Sequence, residues 1–311
     1  MTTTKQSVQG ETTSGRAGVR GLLGAYLSLT KPRVIEQLLV TTIPAMFLAE
    51  RGIPSLWLVL ITLVGGTMAA GSANALNCVV DSDIDAVMDR TKSRPLVSYR
   101  ISRGHALVFS IALSVLSFAV LWAGANVLAA ALALSATLFY VFVYTLLLKR
   151  RTAQNIVWGG AAGCMPVLVG WAAVANTVEW PALVMFAVVF LWTPPHFWSL
   201  AMKYREDYER AAVPMLPVVA TPRQVSVRIL AYSWATVAST LLLIPVTSWI
   251  YVAWAVIVGV TFLVMAHRLH SGISRGHEVN PMKLFHLSNS YLTGLFLAIA
   301  VDAAVGLPVL A

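Results

Sequence analysis

The stretch "NCVVDSDIDAVMDRTKSRPL", residues 77–96, sets four aspartates within nine positions at the end of a long apolar run. On a helix, Asn77, Asp81 and Asp85 stand at i, i+4 and i+8, each turned by only about 40° from the last, so they form one polar stripe. Asp89 continues that spacing, whereas Asp83 lies about 200° round from Asp81 and points elsewhere. Like charges stacked at i, i+4 destabilise a helix, and a carboxylate carried to a bilayer centre costs about 2.5–3.5 kcal/mol. Cations should therefore compensate them. A second cluster, "AMKYREDYERAAVPMLP" at residues 201–217, interleaves Lys203, Arg205, Glu206, Asp207, Glu209 and Arg210. The plain reading of the first cluster is solvated acids paired with Arg90, Lys92, Arg94 and Arg100. Two such patches on one face also suit the binding of a metal–phosphate pair, because Mg²⁺ takes one or two carboxylates and completes its shell with water and substrate phosphate. Nearby Lys and Arg neutralise a departing phosphate. The ligand this chemistry implies is a diphosphate.

The elements that must carry these clusters follow from composition. Of 311 residues, 58% are hydrophobic and 11% charged, which is the composition of a membrane protein. A spanning helix needs about 20 apolar residues, and nine segments qualify: 34–50, 54–76, 106–122, 126–148, 154–175, 181–201, 226–247, 249–266 and 285–309. Weak alternation and abundant Leu, Ala and Val favour helices over a barrel. The expected fold is an all-α integral membrane protein of nine transmembrane helices with the N-terminus cytoplasmic. With that orientation, and counting Arg228 with the loop it borders, 21 of the 22 Lys and Arg fall in the tail or in cytoplasmic connections, and Arg51 alone falls outside. Such asymmetry is the positive-inside pattern. The net charge of +9 then reads as topology and attraction to anionic lipid or substrate, with no nucleic-acid partner.

Residues 1–25 are polar and Thr/Ser/Gly-rich, and are expected to form a disordered cytoplasmic tail, leaving 26–311 as a single transmembrane domain. The tail has no apolar stretch for a signal peptide, and Glu11 and its few basic residues make a poor transit peptide. A bacterial plasma membrane is the expected location, with the acidic clusters on the cytoplasmic side. Cys78 and Cys164 form no C-x-x-C pattern, so neither a disulfide framework nor a thiolate metal site is expected. "GGAAGCMPVLVG" (159–170) is read as close helix packing through small residues. In "TPPHFW", Pro194 and Pro195 predict a break near the middle of the sixth helix, and His196 is an intramembrane ionisable group, which points to function or to a hydrogen bond satisfying the carbonyls that the two prolines free. His105, His267, His270 and His277 lie at cytoplasmic ends and read as solvated.

At these residues the chain resembles the UbiA superfamily of intramembrane prenyltransferases. Asn77-x-x-x-Asp81-x-x-x-Asp85 matches the superfamily's first aspartate-rich motif, and Asp207 falls in its second. "SLTKPRV" (28–34), "DSDIDAVMDRTKSRP" (81–95), "YTLLLKRRTAQNIVWGG" (144–160), "PPHFWSLA" (194–201) and "VPMLPVV" (213–219) narrow the resemblance to its haem-farnesylating branch. Lys203 replaces the first aspartate of the usual second motif, D-x-x-x-D, exchanging a metal ligand for a cation. Ala212 stands where a glycine is expected before Val213-Pro214.

The resemblance implies a UbiA-like bundle and farnesyl transfer from farnesyl diphosphate to a vinyl group of haem B, with water addition and release of diphosphate. It implies Mg²⁺ as cofactor, held by Asp81, Asp85 and Asp207, with Asn77 orienting a ligand or metal-bound water. Lys31, Arg33, Arg94, Lys149, Arg150 and Lys203 would bind diphosphate as leaving group. Tyr140, Tyr144, Phe197 and Trp198 either face the allylic cation or are ordinary bilayer and interface aromatics, and His196 would contact haem iron, a haem propionate or the attacking water. The bilayer is the implied setting, and haem A synthase an implied partner. A superfamily enzyme acting on a quinone or chlorophyll precursor is the neighbouring reading. A cation-coupled transporter is the rival of another class, but it calls for acids near the midplane.

Overall fold

The computed structural model describes residues 18–98 and 100–310. Helix α1 (Val19–Thr30) is followed after a single residue by α2 (Pro32–Glu50). Lys31 between them takes φ of 54°, and Pro32 opens α2 at its first position, where a missing N–H costs nothing. Next come α3 (Leu56–Val80) and the six-residue α4 (Ser82–Val87). After α5 (Arg103–Gly124), α6 (Val127–Leu138) runs without interruption into a π-helical segment, Phe139–Leu148. Helices α7 (Asn155–Gly159) and α8 (Ala161–Ala175) form the next span. Helix α9 (Trp180–Lys203) leads to the six-residue α10 (Arg205–Arg210) and to α11 (Leu216–Val219). The chain ends with α12 (Pro222–Thr240), which tightens into a 3₁₀ turn at Leu241–Val246, then α13 (Trp249–Ser274) and α14 (Pro281–Val305).

Eight of these helical segments are long and apolar enough to cross a membrane, and they coincide with the second to ninth segments read from the sequence. Helix α2 covers the first segment in 19 residues, but its first two turns carry Arg33, Glu36 and Gln37. Leu, Val and Trp side chains such as Trp57, Trp122, Trp249 and Leu297 stand exposed on the outside of the bundle, as a lipid-facing surface requires. Inside, small residues let backbones approach. A Cβ on Gly170 would lie 2.5 Å from the Thr42 carbonyl oxygen, so this glycine sets the contact of α8 with α2.

Two expectations are corrected. Pro194 and Pro195 do not break the sixth span, because α9 runs through them without interruption. Their fixed φ is itself helical, and buried Trp192 and Trp198 hold the helix on either side. Likewise, helix α1 begins at Val19, inside the stretch expected to be disordered. Ala25 and Leu29 bury themselves against Ala75, Cys78, Leu96 and Ala106, and this burial supplies the ordering energy that the composition of the tail alone lacks. The rest of that tail, residues 1–17, lies outside the described residues.

At the end of the bundle opposite the acidic clusters, buried Asp302 of α14 accepts hydrogen bonds from the Ser248 and Tyr251 backbone N–H groups at 2.9 and 3.1 Å and from the Ser248 hydroxyl. An anion there satisfies the first turn of α13 and complements its dipole.

Candidate active site

The acid stripe is built by the end of α3. The helix is interrupted at Asp81 (φ −89°, ψ 11°), yet Asp81 N–H still reaches the Asn77 carbonyl at 2.9 Å and Asp85 N–H the Asp81 carbonyl at 2.8 Å. The i, i+4 spacing therefore survives, and Asn77, Asp81 and Asp85 are all buried on one face. Asp83 turns away to the surface, where Arg150 grips both its oxygens at 2.7 Å; that hydrogen bonding holds its carboxyl down at about 2. Asp89 leaves the stripe. Helix α4 stops at Val87, Met88 is extended, and exposed Asp89 pairs with Lys92 and Arg210.

Each buried acid of the stripe has its own cation. Lys149 Nζ donates to Asp81 Oδ2, which also accepts from Asn77 Nδ2 at 2.6 Å. Lys31 Nζ donates to Asn77 Oδ1 at 2.7 Å, while Arg94 places one nitrogen 2.7 and 2.6 Å from the two oxygens of Asp85. Burial pushes the Lys31 ammonium down to about 8, and the charges of Arg94 and Lys149 act in the same direction. An arriving anion would reverse that bias. The result is a buried acid–cation mosaic in which several N–H donors can turn to a polyanion.

The π-helical segment delivers much of this. π-Helical turns are rare and tend to mark functional positions. Here Thr145 donates to the Tyr140 carbonyl five residues back at 2.9 Å and accepts from Asn77 Nδ2 at 3.2 Å. Tyr140 and Tyr144 stand with ring centroids 5.2 Å apart, and Lys149 and Arg150 follow directly. Gly159 has no room for a side chain: its Cβ would fall 2.0 Å from Tyr144 Cδ2. Thr145 and Gly159 carried no signal in the sequence beyond lying in the quoted motifs, since a π segment has no simple residue signature. An open groove of about 450 Å³, lined by Ser82, Asp83, Arg103, Thr145 and Arg150 among others, runs beside this cluster.

The second arm repeats the design of the first, a long span followed after one residue by a six-residue helix. Asp207 and Tyr208 of α10 are buried, and Tyr208 packs with Ile84 and Met88 of the first arm and with Ile156, Ala201 and Met215. Arg210 joins the arms by contacting both Asp207 and Asp89. Arg90 lies over the Tyr204 ring, 5.5 Å from its centroid. Ala212 adopts φ of 51°, the left-handed conformation a glycine takes without penalty, and the Val213 N–H closes the turn on the Tyr208 carbonyl at 3.0 Å.

Not every sequence candidate joins the cluster. Arg33 and Lys203 are exposed, and neither has an ion-pair partner among the described residues. Trp198 is a core residue set edge-on against Tyr232 at 5.5 Å. His196 is buried between α9 and α14, stacked on Trp192 at 4.3 Å and Phe285 at 4.4 Å, with Phe197 edge-on at 5.2 Å.

Residues 38–289 match the model of the UbiA prenyltransferase family. The chain belongs to that family. Within it, this UbiA member is 78% identical over 289 residues to protoheme IX farnesyltransferase 1 of Saccharopolyspora erythraea, covering 93% of both chains. It is 57% identical over 300 residues to protoheme IX farnesyltransferase of Mycolicibacterium gilvum, covering 96% of both. Among solved structures, a digeranylgeranylglyceryl phosphate synthase aligns with a TM-score of 0.74 at 17% identity, over 91% of this chain and 99% of the other. A UbiA homologue from Archaeoglobus fulgidus bound to GPP and Mg²⁺ aligns with a TM-score of 0.66 at 19% identity, over 90% and 99%.

The first arm of this UbiA family member fits a hard cation. Asp81 Oδ1 is buried and accepts no hydrogen bond among the described residues, with the Arg150 guanidinium 3.6 Å away. An orphaned carboxylate oxygen beside Asp85 is the donor type Mg²⁺ takes. Asp207 does not complete a trio with them: no group of three or more metal-ligating side chains forms among the described residues, and its carboxylate is engaged by Arg210.

Proposed function

We propose that this prenyltransferase transfers the farnesyl group of farnesyl diphosphate to a vinyl group of haem B, with addition of water and release of diphosphate, at the cytoplasmic face of a bacterial plasma membrane. The observation that carries the diphosphate half is the buried stripe of Asn77, Asp81 and Asp85 interleaved with Lys31, Arg94 and Lys149. The names of the highly similar full-length relatives supply the haem half.

The residues act as follows. Breaking the allylic C–O bond sends its electron pair to the diphosphate, and Lys31, Arg94, Lys149 and Arg150 donate hydrogen bonds to the charge that develops there. Lys203, at the end of α9, adds a further cation from the second arm. Asp81 and Asp85 would hold Mg²⁺, which when bound neutralises diphosphate oxygens; Asn77 orients the Asp81 carboxylate. Asp207 serves by holding Arg210. The Tyr140 and Tyr144 ring faces stabilise the allylic cation, and the lipid-embedded bundle keeps water from quenching it early. The vinyl terminal carbon then bonds to farnesyl C1, and water adds to the neighbouring carbon with loss of a proton. His196 meets the haem.

Purified protein incubated with haem B, farnesyl diphosphate and Mg²⁺ is expected to yield a haem heavier by one farnesyl group and one hydroxyl group in mass spectrometry. Unchanged haem alongside prenylation of a quinone precursor would overturn the assignment. Nine crossings with a cytoplasmic N-terminus predict that accessibility tags placed before Met1 and after Ala311 report opposite sides of the membrane; labelling on one side removes that topology.

A further inference from the structure

We infer that Ser288 is a positioning residue that fixes the tautomer of His196, so that the ring presents a bare Nε2 lone pair as axial ligand to haem iron. This role rests on haem B being the acceptor substrate.

Counting protons fixes the tautomer. Ser288 Oγ lies 2.7 Å from the Phe285 carbonyl oxygen. A carbonyl can only accept, so the single hydroxyl proton of Ser288 is committed there. The same Oγ lies 2.8 Å from His196 Nδ1. With its proton used, the hydroxyl can only accept in this second contact, and Nδ1 must carry the hydrogen. A neutral imidazole has one N–H, so Nε2 is left as an unprotonated acceptor, and it makes no hydrogen bond among the described residues.

The surroundings hold the ring in that state. Trp192 and Phe285 cover its two faces at 4.3 and 4.4 Å, and Trp192 is itself pinned by donating Nε1–H to the Ser288 carbonyl at 2.8 Å. Ser288 thus orients both the histidine and one of the rings that clamp it. No carboxylate pairs with His196 among the described ion pairs.

These facts select among the roles open to a histidine beside haem. Contact with a propionate needs an N–H at Nε2, which this tautomer lacks. Acting as base toward water would leave an imidazolium enclosed by two aromatic faces with no counter-charge, a costly state in a buried site. Ligation of a metal needs only the lone pair. A lone imidazole is too few ligands for a protein-built zinc or copper site, and no larger ligand group forms among the described residues. It is enough for haem, whose porphyrin supplies the other four nitrogens. An Nδ1–H held by an outer partner is the usual way such a ligand is oriented.

The test is titration of the detergent-purified full-length protein with ferric haem, followed by absorbance and electron paramagnetic resonance. His196→Gly should lose the histidine-ligated spectrum, and added imidazole should restore it. Ser288→Ala should weaken haem affinity by about tenfold to a hundredfold, the usual loss when an outer partner is removed, and Ser288→Thr, which keeps the hydroxyl, should recover it. A His196→Gly spectrum identical to wild type, in protein that still farnesylates haem, overturns iron ligation while leaving the proposed reaction intact. Wild-type haem affinity in Ser288→Ala overturns the positioning role. Wild-type protein that neither binds haem nor yields a heavier haem sinks the reaction and this inference together.

Discussion

Asp81→Ala is expected to lower farnesyl transfer by at least about 10³-fold, while Asp83→Ala, two residues on, changes it by less than about fivefold. Asp81 is fully buried and carries one oxygen with no hydrogen-bond partner among the described residues. Its loss removes a magnesium ligand and also leaves Lys149, Arg150 and the Asn77–Lys31 pair without the charge that positions them. Removing one electrostatic group from such a site costs about 10²–10³, and the lost metal ligand adds to this. Asp83 shares the segment but stands on the opposite side, with a side chain 60% exposed and its charge spent on Arg150. A surface pair of that kind is worth about 0–1 kcal/mol, or up to about fivefold. The measurement is kcat/KM for farnesyl diphosphate in purified protein that binds haem normally. Equal damage from both substitutions would show that the stripe geometry does not govern the reaction.

Lys149→Ala is the second large effect. Lys149 donates to the oxygen of Asp81 that Asn77 also contacts, from a position 68 residues away at the end of the π-helical segment. Truncating one partner of a buried charge pair costs about 3–5 kcal/mol where burial is complete; the Lys149 side chain keeps 16% exposure, so the lower part of that range applies. A loss of about 10²-fold in kcat/KM for farnesyl diphosphate is expected, with haem affinity unchanged and Lys149→Arg partly restoring activity. Arg33→Ala provides the contrast, because Arg33 lies in an equally suggestive motif but is exposed and unpaired among the described residues. It should leave activity within about twofold, the scale of a surface substitution. Comparable losses from Lys149→Ala and Arg33→Ala would remove the assignment of Lys149 as the specific partner of Asp81.

The sequence alone determined the helical class, eight of the spans and the acid stripe, and the reason is physical. Lipid offers no hydrogen bonds, so a spanning segment must satisfy its own backbone, and its length and apolarity are local properties. Helical periodicity is local too, which is why Asn77, Asp81 and Asp85 could be placed on one face and Asp83 off it. What needed the tertiary structure was every choice made across the bundle. Five cations stood in plausible motifs around the first arm, and only packing decided that Lys149 serves Asp81, Arg94 serves Asp85, Lys31 serves Asn77, Arg150 divides itself between Asp83 and Asp81, and Arg33 serves none of them. Pro194 and Pro195 signalled a break that packing around α9 overrides. Composition placed residues 19–25 in a disordered tail because the apolar surface that Ala25 and Leu29 cover belongs to helices far along the chain. The tautomer of His196 depends on a hydroxyl 92 residues away, a distance over which no spacing rule operates and which only the contact of α9 with α14 closes.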